Sequence, residues 1–521
     1  MQAITAREAG KICTGAGPQP SRMQIGVART GLYGYGTTHQ GERMRTAPRL
    51  IIVCLACALL CHLPLSGIAA QQGDEQPRLM KVVALSRHGV RSPTQAPDTL
   101  SQWSTRNWPQ WPVPRGFLTP RGARLVTAMW EDMRGQMLNL GLLPDSVCPP
   151  PGKVFVRADV DQRTRATAKA LLDGLCRGGG QTYAVSSQTP DPLFHPVQAG
   201  FQRFDPASVA ASIMATAGGD LDRLHEDNAG ALTHIQHLSA PVAPTLCARY
   251  NLPPTCGLAD LPNSVSVDAD GKGAGLSGAL ATASSMAEIF LLEYAQWPEI
   301  SAGWGQVDAH VLREVLPVHT SVFNTVNRSP VVALFKGASL LSEMAAALDG
   351  THRDQRCNAA SLVVFVGHDT NLANVGELLG VHWQLPGYPD DSTPPGSVLM
   401  LELWNMGGKK EVRVRFFAQS LEALHEPFVD PPQPVGGLTI PQLTDPARTH
   451  KATAALVTAP PVVGEARFSL ESFSQRVDKA LRNASLVPQE VPPLRLRVDS
   501  DVDSGPATAT SAEASSPAKI R

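Results

Sequence analysis

Three short apolar runs punctuate the chain: KVVAL (81–85), KVFVRA (153–158) and SLVVFVG (361–367). Each is followed by a segment whose apolar residues recur at helical spacing. Buried strands that alternate with helices need both faces covered and every backbone group paired, and a parallel or mixed sheet between helical layers provides this. The expected fold class is therefore α/β. The first helical segment, TPRGARLVTAMWEDMRGQMLNLG, places Thr119 at the N-cap and Pro120 at N1. The second, DQRTRATAKALLDGL, puts Ala166, Ala170 and Leu171 on one face, and the third is NLANVGELLG. Later, GSVLMLELW and EVRVRFFAQ flank a Gly-Lys-Lys turn. The second of these alternates Val412, Val414 and Phe416, as a hairpin at a sheet edge would.

Residues 201–319 break the rhythm. DPASVAASIMATAG, DLDRLHEDNAGALTHIQHL and SGALATASSMAEIFLLEYAQ read as helices with no comparable strand among them, so an inserted α domain is expected there. The α/β domain is then discontinuous, 76–200 and 320–488, and the Pro-, Ser-, Ala- and Thr-rich residues 489–521 are expected to be a disordered tail.

The 45 Lys and Arg nearly cancel the 46 Asp and Glu, and no long block of like charge occurs. This gives no support to a nucleic-acid surface or a polybasic membrane patch and points to a small-molecule partner. The stretch MRTAPRLIIVCLACALLCHLPLSGIAA, residues 44–70, has the basic start, apolar centre and small-residue end of a secretory signal. Its apolar run falls short of the ~20 residues that span a bilayer, so no membrane contact is expected after cleavage. Residues 1–43 are either an extended n-region or a start placed upstream of the true one at Met44. Cys148, Cys176, Cys247, Cys256 and Cys357 then remain in an oxidising compartment. Cys247 and Cys256 bracket a short loop, Cys148 and Cys176 flank a strand-and-helix unit, and Cys357 is left over. No second closely spaced Cys/His pair accompanies them to make a zinc site.

In open α/β sheets, ligands collect beyond the carboxyl ends of the strands. The residues there are RHGVRSPT (Arg87, His88, Arg91, Thr94), QRTR (Arg163, Arg165) and GHDTN (His368, Asp369, Thr370, Asn371). Guanidinium forks match phosphoryl oxygens, and phosphoryl transfer is catalysed mainly by positioning and charge. His88 is the candidate nucleophile, because a neutral imidazole can attack phosphorus and form a phosphohistidine. Neighbouring arginines would disfavour its protonation. Asp369 would protonate the departing alkoxide, and as a carboxylic acid it works best at low pH, so an acid optimum is expected. Taken alone, His368-Asp369 also reads as a capped turn, with Asp369 or Asn371 as the N-cap.

These residues resemble the histidine acid phosphatases, whose signature is R-H-G-x-R-x-P near the mature N-terminus and H-D far downstream. WPVPRGFLTPRG, ADVDQRTRATA, PDPLFHP, AEIFLLE and GHDTNLANVGELLGVHWQLPGYPDDSTPPG are similar to the periplasmic bacterial branch, which includes phytases and glucose-1-phosphatases. The resemblance runs over about residues 78–488. It implies a phosphoglycerate-mutase-like α/β domain with a smaller α domain, no metal cofactor, and periplasmic residence; a monomer with no other cofactor, periplasmic or secreted, is expected. It also implies His88 as nucleophile, Asp369 as proton donor, and Arg87, Arg91, Arg163 and His368 as the phosphate-holding group. Thr94, Ser285, Glu288, His319 and Thr370 fall where phytases line the leaving-group side. The HDT form is similar to phytases, whereas glucose-1-phosphatases carry Ser after H-D and Asn at the Gly89 position. Phytases also carry Lys and Arg where this chain has Gln95 and Leu334, so a weaker selective hold on phytate is expected. The expected function is an exported acid phosphatase acting on phosphate monoesters such as phytate and sugar phosphates. Its alternatives are a phosphate-ester binder without turnover, a glucose-1-phosphatase-like enzyme and a mutase.

Overall fold

The computed structural model describes residues 76–176, 181–203, 205–239, 241–300, 302–428, 456–458, 467–483 and 496–499. The signal segment and residues 1–43 lie outside them. Eleven strands occur among the described residues: β1 Arg78–Arg87, β2 Val154–Ala158, β3 Tyr183–Ser186, β4 Ser264–Val267, β5 Ala274–Ser277, β6 Leu362–Gly367, β7 Val398–Met406, β8 Lys409–Gln419, β9 Leu456–Thr458, β10 Arg467–Ser469 and β11 Leu496–Asp499. The main sheet runs β10-β8-β7-β1-β6-β2-β3-β11, with β9 also paired to β8. Its middle is parallel, with β1 on β6, β6 on β2 and β2 on β3, while β7 and β8 continue antiparallel. The expected α/β class holds.

The helices used below are α1 Pro120–Asn139, α2 Gln162–Leu175, α3 Pro206–Thr216, α4 Ala229–Ser239, α5 Ala279–Gln296, α6 Ala309–Asn327, α7 Pro330–Asp349 and α8 Asp369–Leu379. Alternation along the strands splits the core in two. Val82 and Ala84 of β1, Val156 of β2 and Val364 of β6 pack with Met129 and Trp130 of α1 and Leu171 of α2. Val83, Leu85, Phe155, Val363 and Phe365 face the other way, toward Leu340 and Met344 of α7 and Leu372 and Val375 of α8. Each large apolar side chain buried on either face contributes roughly 1.5–3 kcal/mol. Thr119 caps α1 as expected, accepting from the Gly122 N–H. On α2, Ala170 and Leu171 are buried, but Ala166 is only half-buried; Thr164, Thr167 and Ala168 complete the inward face.

Four local expectations need correction. DLDRLHEDNAGALTHIQHL is two helices, Leu221–Asp227 and α4, because Asn228 turns its side chain back to the Leu224 carbonyl (2.8 Å) and interrupts the first. Residues 201–319 also hold the β4–β5 hairpin, whose small and polar residues carry too little apolar signal to mark a strand. The β7–β8 turn is Gly407-Gly408, both at positive φ, which puts Lys409 and Lys410 inside β8; β9 and β10 then cover the outer side of that hairpin. Finally, Leu496–Asp499 of the expected disordered tail pairs antiparallel with β3. The alternation of leucine, valine and arginine in LRLRV is a strand pattern that the composition of its surroundings hides.

Cys148 is bonded to Cys176 and Cys247 to Cys256, while Cys357 is free and buried. Burial pushes the Cys357 thiol up to about 12, so it stays protonated and inert. In the helical region, Glu293 of α5 is 2 % exposed. Its Oε2 accepts the Gly303 N–H (2.8 Å), and Oε1 has no hydrogen-bond partner among the described residues. Burial raises Glu293 to about 7. The folded chain therefore holds this proton more tightly than the unfolded chain, whose glutamates titrate near ~4.3. Its contribution to stability is whole below that value and is lost progressively as pH rises through about 7. Glu293→Gln is expected to remove a loss of roughly 3 kcal/mol over that window. Thermal melts from pH ~4 to 8 check this: the two proteins should coincide in acid, with the variant more stable at neutrality.

Candidate functional site

Because β1, β6 and β2 lie side by side and parallel, their carboxyl ends bring the three loops to one edge of the sheet. The first loop is locked to α1. A Cβ on Gly89 would lie 2.7 Å from Val126 Cγ2 and 3.0 Å from the Gly122 carbonyl, and one on Gly122 would lie 2.2 Å from the Val90 carbonyl. The Gly89 N–H donates to Thr167 Oγ1 (3.1 Å), and the His88 N–H donates to the Gly367 carbonyl (3.0 Å), which ties β1's end to α2 and β6.

His88 is 2 % exposed. Its Nδ1 stands 2.9 Å from the Gly89 carbonyl. A carbonyl only accepts, so the ring proton sits on Nδ1 and Nε2 keeps its lone pair. Burial and, after it, the charges of Arg163, Arg87, Arg91 and His368 hold His88 well below the usual imidazole range. The ring therefore remains neutral in acid that would protonate free histidine.

Arg87 and Arg91 share the Glu288 carboxylate: Arg87 Nη2 donates at 2.6 Å and Arg91 Nη2 at 3.2 Å. Arg87 also pairs with Asp369 Oδ2 (2.8 Å), and its Nη1 donates to the Thr393 carbonyl. Arg87 Nε and Arg91 Nε are buried without a hydrogen-bond partner among the described residues. Burial alone would raise Glu288, but the two guanidiniums overcome it and hold the carboxyl down at about 2. Although Glu288 sits on a helix where it could have faced solvent, it is an anion on the two arginines, and any phosphoryl group reaching them competes with it.

The His368 N–H is capped by Asn371 Oδ1 (2.9 Å) and Asp369 is the first residue of α8, so the N-cap is His368 rather than Asp369 or Asn371. Arg163 Nη2 donates to His368 Nδ1 (3.2 Å), and His368 Nε2 donates to Asp159 Oδ2 (2.8 Å). Sequence reasoning missed two members of this group, Asp159 and His195, whose Nε2 lies 3.0 Å from the same Asp159 oxygen. Asp159 stands directly beyond β2, which could have flagged it; His195 lies in PDPLFHP, in the segment that follows β3, a strand not marked from the sequence. Burial would raise Asp159, yet the two imidazoles outweigh that and hold it well below the usual carboxylate range. Asp159, Asp161, His195 and His368 each bring a donor atom within 4.8 Å of the others, close enough for a cation. The Arg163 donor, however, fixes the neutral His368 proton on Nε2, so that nitrogen has no lone pair for a metal. The donor set fits a hydrogen-bond network.

The outer residues are less tightly engaged. Thr94 and Arg163 flank Gly116, each within 4 Å of the point where a Cβ would stand. His319 of α6 is turned to α5, its Nδ1 donating to the Ser284 carbonyl (3.1 Å); burial lowers it, Glu288 opposes this and Arg87 adds to it. Ser285 is half-buried one turn before Glu288, and Thr370 gives its backbone N–H to Asp369 Oδ1 (2.8 Å).

The family model for the Histidine phosphatase superfamily (branch 2) matches residues 78–419. Phytase AppA of Escherichia coli strain K12 is 35% identical over 390 residues, 73% of this chain and 89% of that protein. A glucose-1-phosphatase of Salmonella typhimurium is 27% identical over 386 residues, 72% and 88% of the two chains. The solved structure of Hafnia alvei phytase in complex with myo-inositol hexakis sulphate has a TM-score of 0.68 at 32% identity, covering 79% of this chain and 99% of that one.

Proposed function

Since the chain belongs to the histidine phosphatase superfamily, branch 2, and has phosphatase activity, we propose that it is an exported acid phosphomonoesterase working through phosphohistidine on His88, with phytate among its substrates. The observation that carries this is the fixed tautomer of His88, which leaves Nε2 with its lone pair beside three arginines and a second histidine. Nε2 attacks phosphorus, the P–O bond to the alcohol breaks, and Asp369 gives its proton to the departing oxygen. Water then attacks the phosphohistidine while the Asp369 carboxylate takes the water's proton, and inorganic phosphate leaves. Arg87, Arg91, Arg163 and His368 hold the three non-bridging oxygens, and Glu288 yields its arginines to them.

Two features support the phytase side over the sugar-phosphatase side. Thr370 follows His368-Asp369, and position 89 has no room for an asparagine against Val126 and Gly122. Gln95 and Leu334 leave the outer pocket short of two cations, so phytate should turn over with a weak KM while small monoesters are hydrolysed normally. Export is supported by the signal segment and by the two disulfides. Phosphate release from phytate, glucose-1-phosphate and p-nitrophenyl phosphate between pH ~3 and 7 tests the proposal. Release from all three is expected. Release from glucose-1-phosphate without phytate would make it a sugar phosphatase, and release from none would leave only a binder.

A further inference from the structure

We propose that His195 is a positioning residue which, by sharing the Asp159 carboxylate with His368, limits the pH range over which His368 can grip a phosphoryl group. The inference rests on the reading of His368 as a phosphate ligand. One carboxylate oxygen, Asp159 Oδ2, serves both imidazoles at 2.8 and 3.0 Å, and their Nε2 atoms are only 3.2 Å apart. Asp159 is completely buried, so water does not relieve the crowding.

His368 gives its Nε2 proton to Asp159 and receives Arg163 at Nδ1. To donate to a phosphoryl oxygen as well, it needs a second proton on Nδ1 and becomes an imidazolium with Asp159 as its counter-ion. A protonated His195 uses up that same negative charge and sets a like charge beside the ring. The two rings thus compete for one anion, Asp159 Oδ2. The other charged groups here do not substitute for Asp159. Asp161 Oδ2 is 3.8 Å from His368 Nε2 and is paired to Arg163 at 2.8 Å. Asp191 is engaged by Arg157 at 3.1 Å, and the cationic surroundings of His88, whose ring centroid is 5.6 Å from that of His368, only add repulsion.

His195→Gln keeps an N–H donor for Asp159 and removes the competing charge. The alkaline limb of kcat/KM for p-nitrophenyl phosphate, and of inhibition by inorganic phosphate, should move up by about half to one pH unit. Asp159→Asn removes the counter-ion, so the same limb should move down and inhibition by phosphate should weaken about tenfold or more. A limb that stays in place in His195→Gln, or a loss of kcat that is uniform across pH, would mean that His195 only fills space and would overturn the proposal. Binding of inorganic phosphate, followed calorimetrically over the same pH series, separates the two readings. If the wild type releases no phosphate from esters, the phosphatase reading fails, but the shift between wild type and His195→Gln still decides the role of His195.

Discussion

His88→Ala will fold and will not turn over. With the nucleophile gone, kcat for every monoester should fall by at least about 10⁴-fold, the scale on which loss of an attacking side chain is felt in other covalent mechanisms. The truncation leaves a small void among residues already fixed by backbone contacts, Gly89 to Thr167 and His88 to Gly367, so the melting temperature should change little. Quenching the wild type in alkali during turnover should trap phosphorus on His88, and the variant should trap none. Turnover near the wild-type rate, or phosphorus on another side chain, would end the covalent scheme. The same chemistry predicts activity that persists in acid. Burial and the arginines hold His88 below the ordinary imidazole range, so the attacking nitrogen stays unprotonated as pH falls.

Asp369→Asn should separate substrates by their leaving groups. For sugar alcohols and inositol phosphates, which depart as strongly basic alkoxides, the phosphorylation step should slow by about 10²- to 10⁴-fold. For p-nitrophenyl phosphate, whose leaving group is stable as an anion, the loss in that step should be about tenfold or less. Single-turnover kinetics are the right measurement, because Asp369 also serves the second half-reaction and steady-state rates mix the two. Part of any uniform loss belongs to the Arg87 ion pair, whose oxygen at 2.8 Å the amide replaces with a neutral group. Equal losses for both substrate classes would therefore assign Asp369 to holding Arg87 rather than to proton transfer.

The reason Arg87, His88, Arg91, Arg163, His368 and Asp369 were legible from sequence is geometric. Each lies at or shortly beyond the end of a largely apolar run, and strands buried on both faces align in parallel with their carboxyl ends together. Glu288 was harder, because helical spacing alone does not say which face of α5 turns to the sheet; its partners, Arg87 at the end of β1 and Arg91 just beyond it, stand about two hundred residues earlier. Asp159 and His195 escaped for a related reason. Their meaning lies in one shared oxygen, and no periodicity in the chain encodes that contact. In the fold, the β4–β5 hairpin and β11 were missed because four-residue strands of small, polar or charged residues differ little from loop.

The strand that carries the nucleophile is made early and completed late. β1 is hydrogen-bonded on one side to β6 and on the other to β7, so both of its neighbours are encoded after residue 361. As the ribosome emits the chain from the N-terminus, β1 has no partner until most of the polypeptide has emerged. Pairing across such a span is slow. A chain cut short before β7 would therefore lack a strand beside its reactive loop.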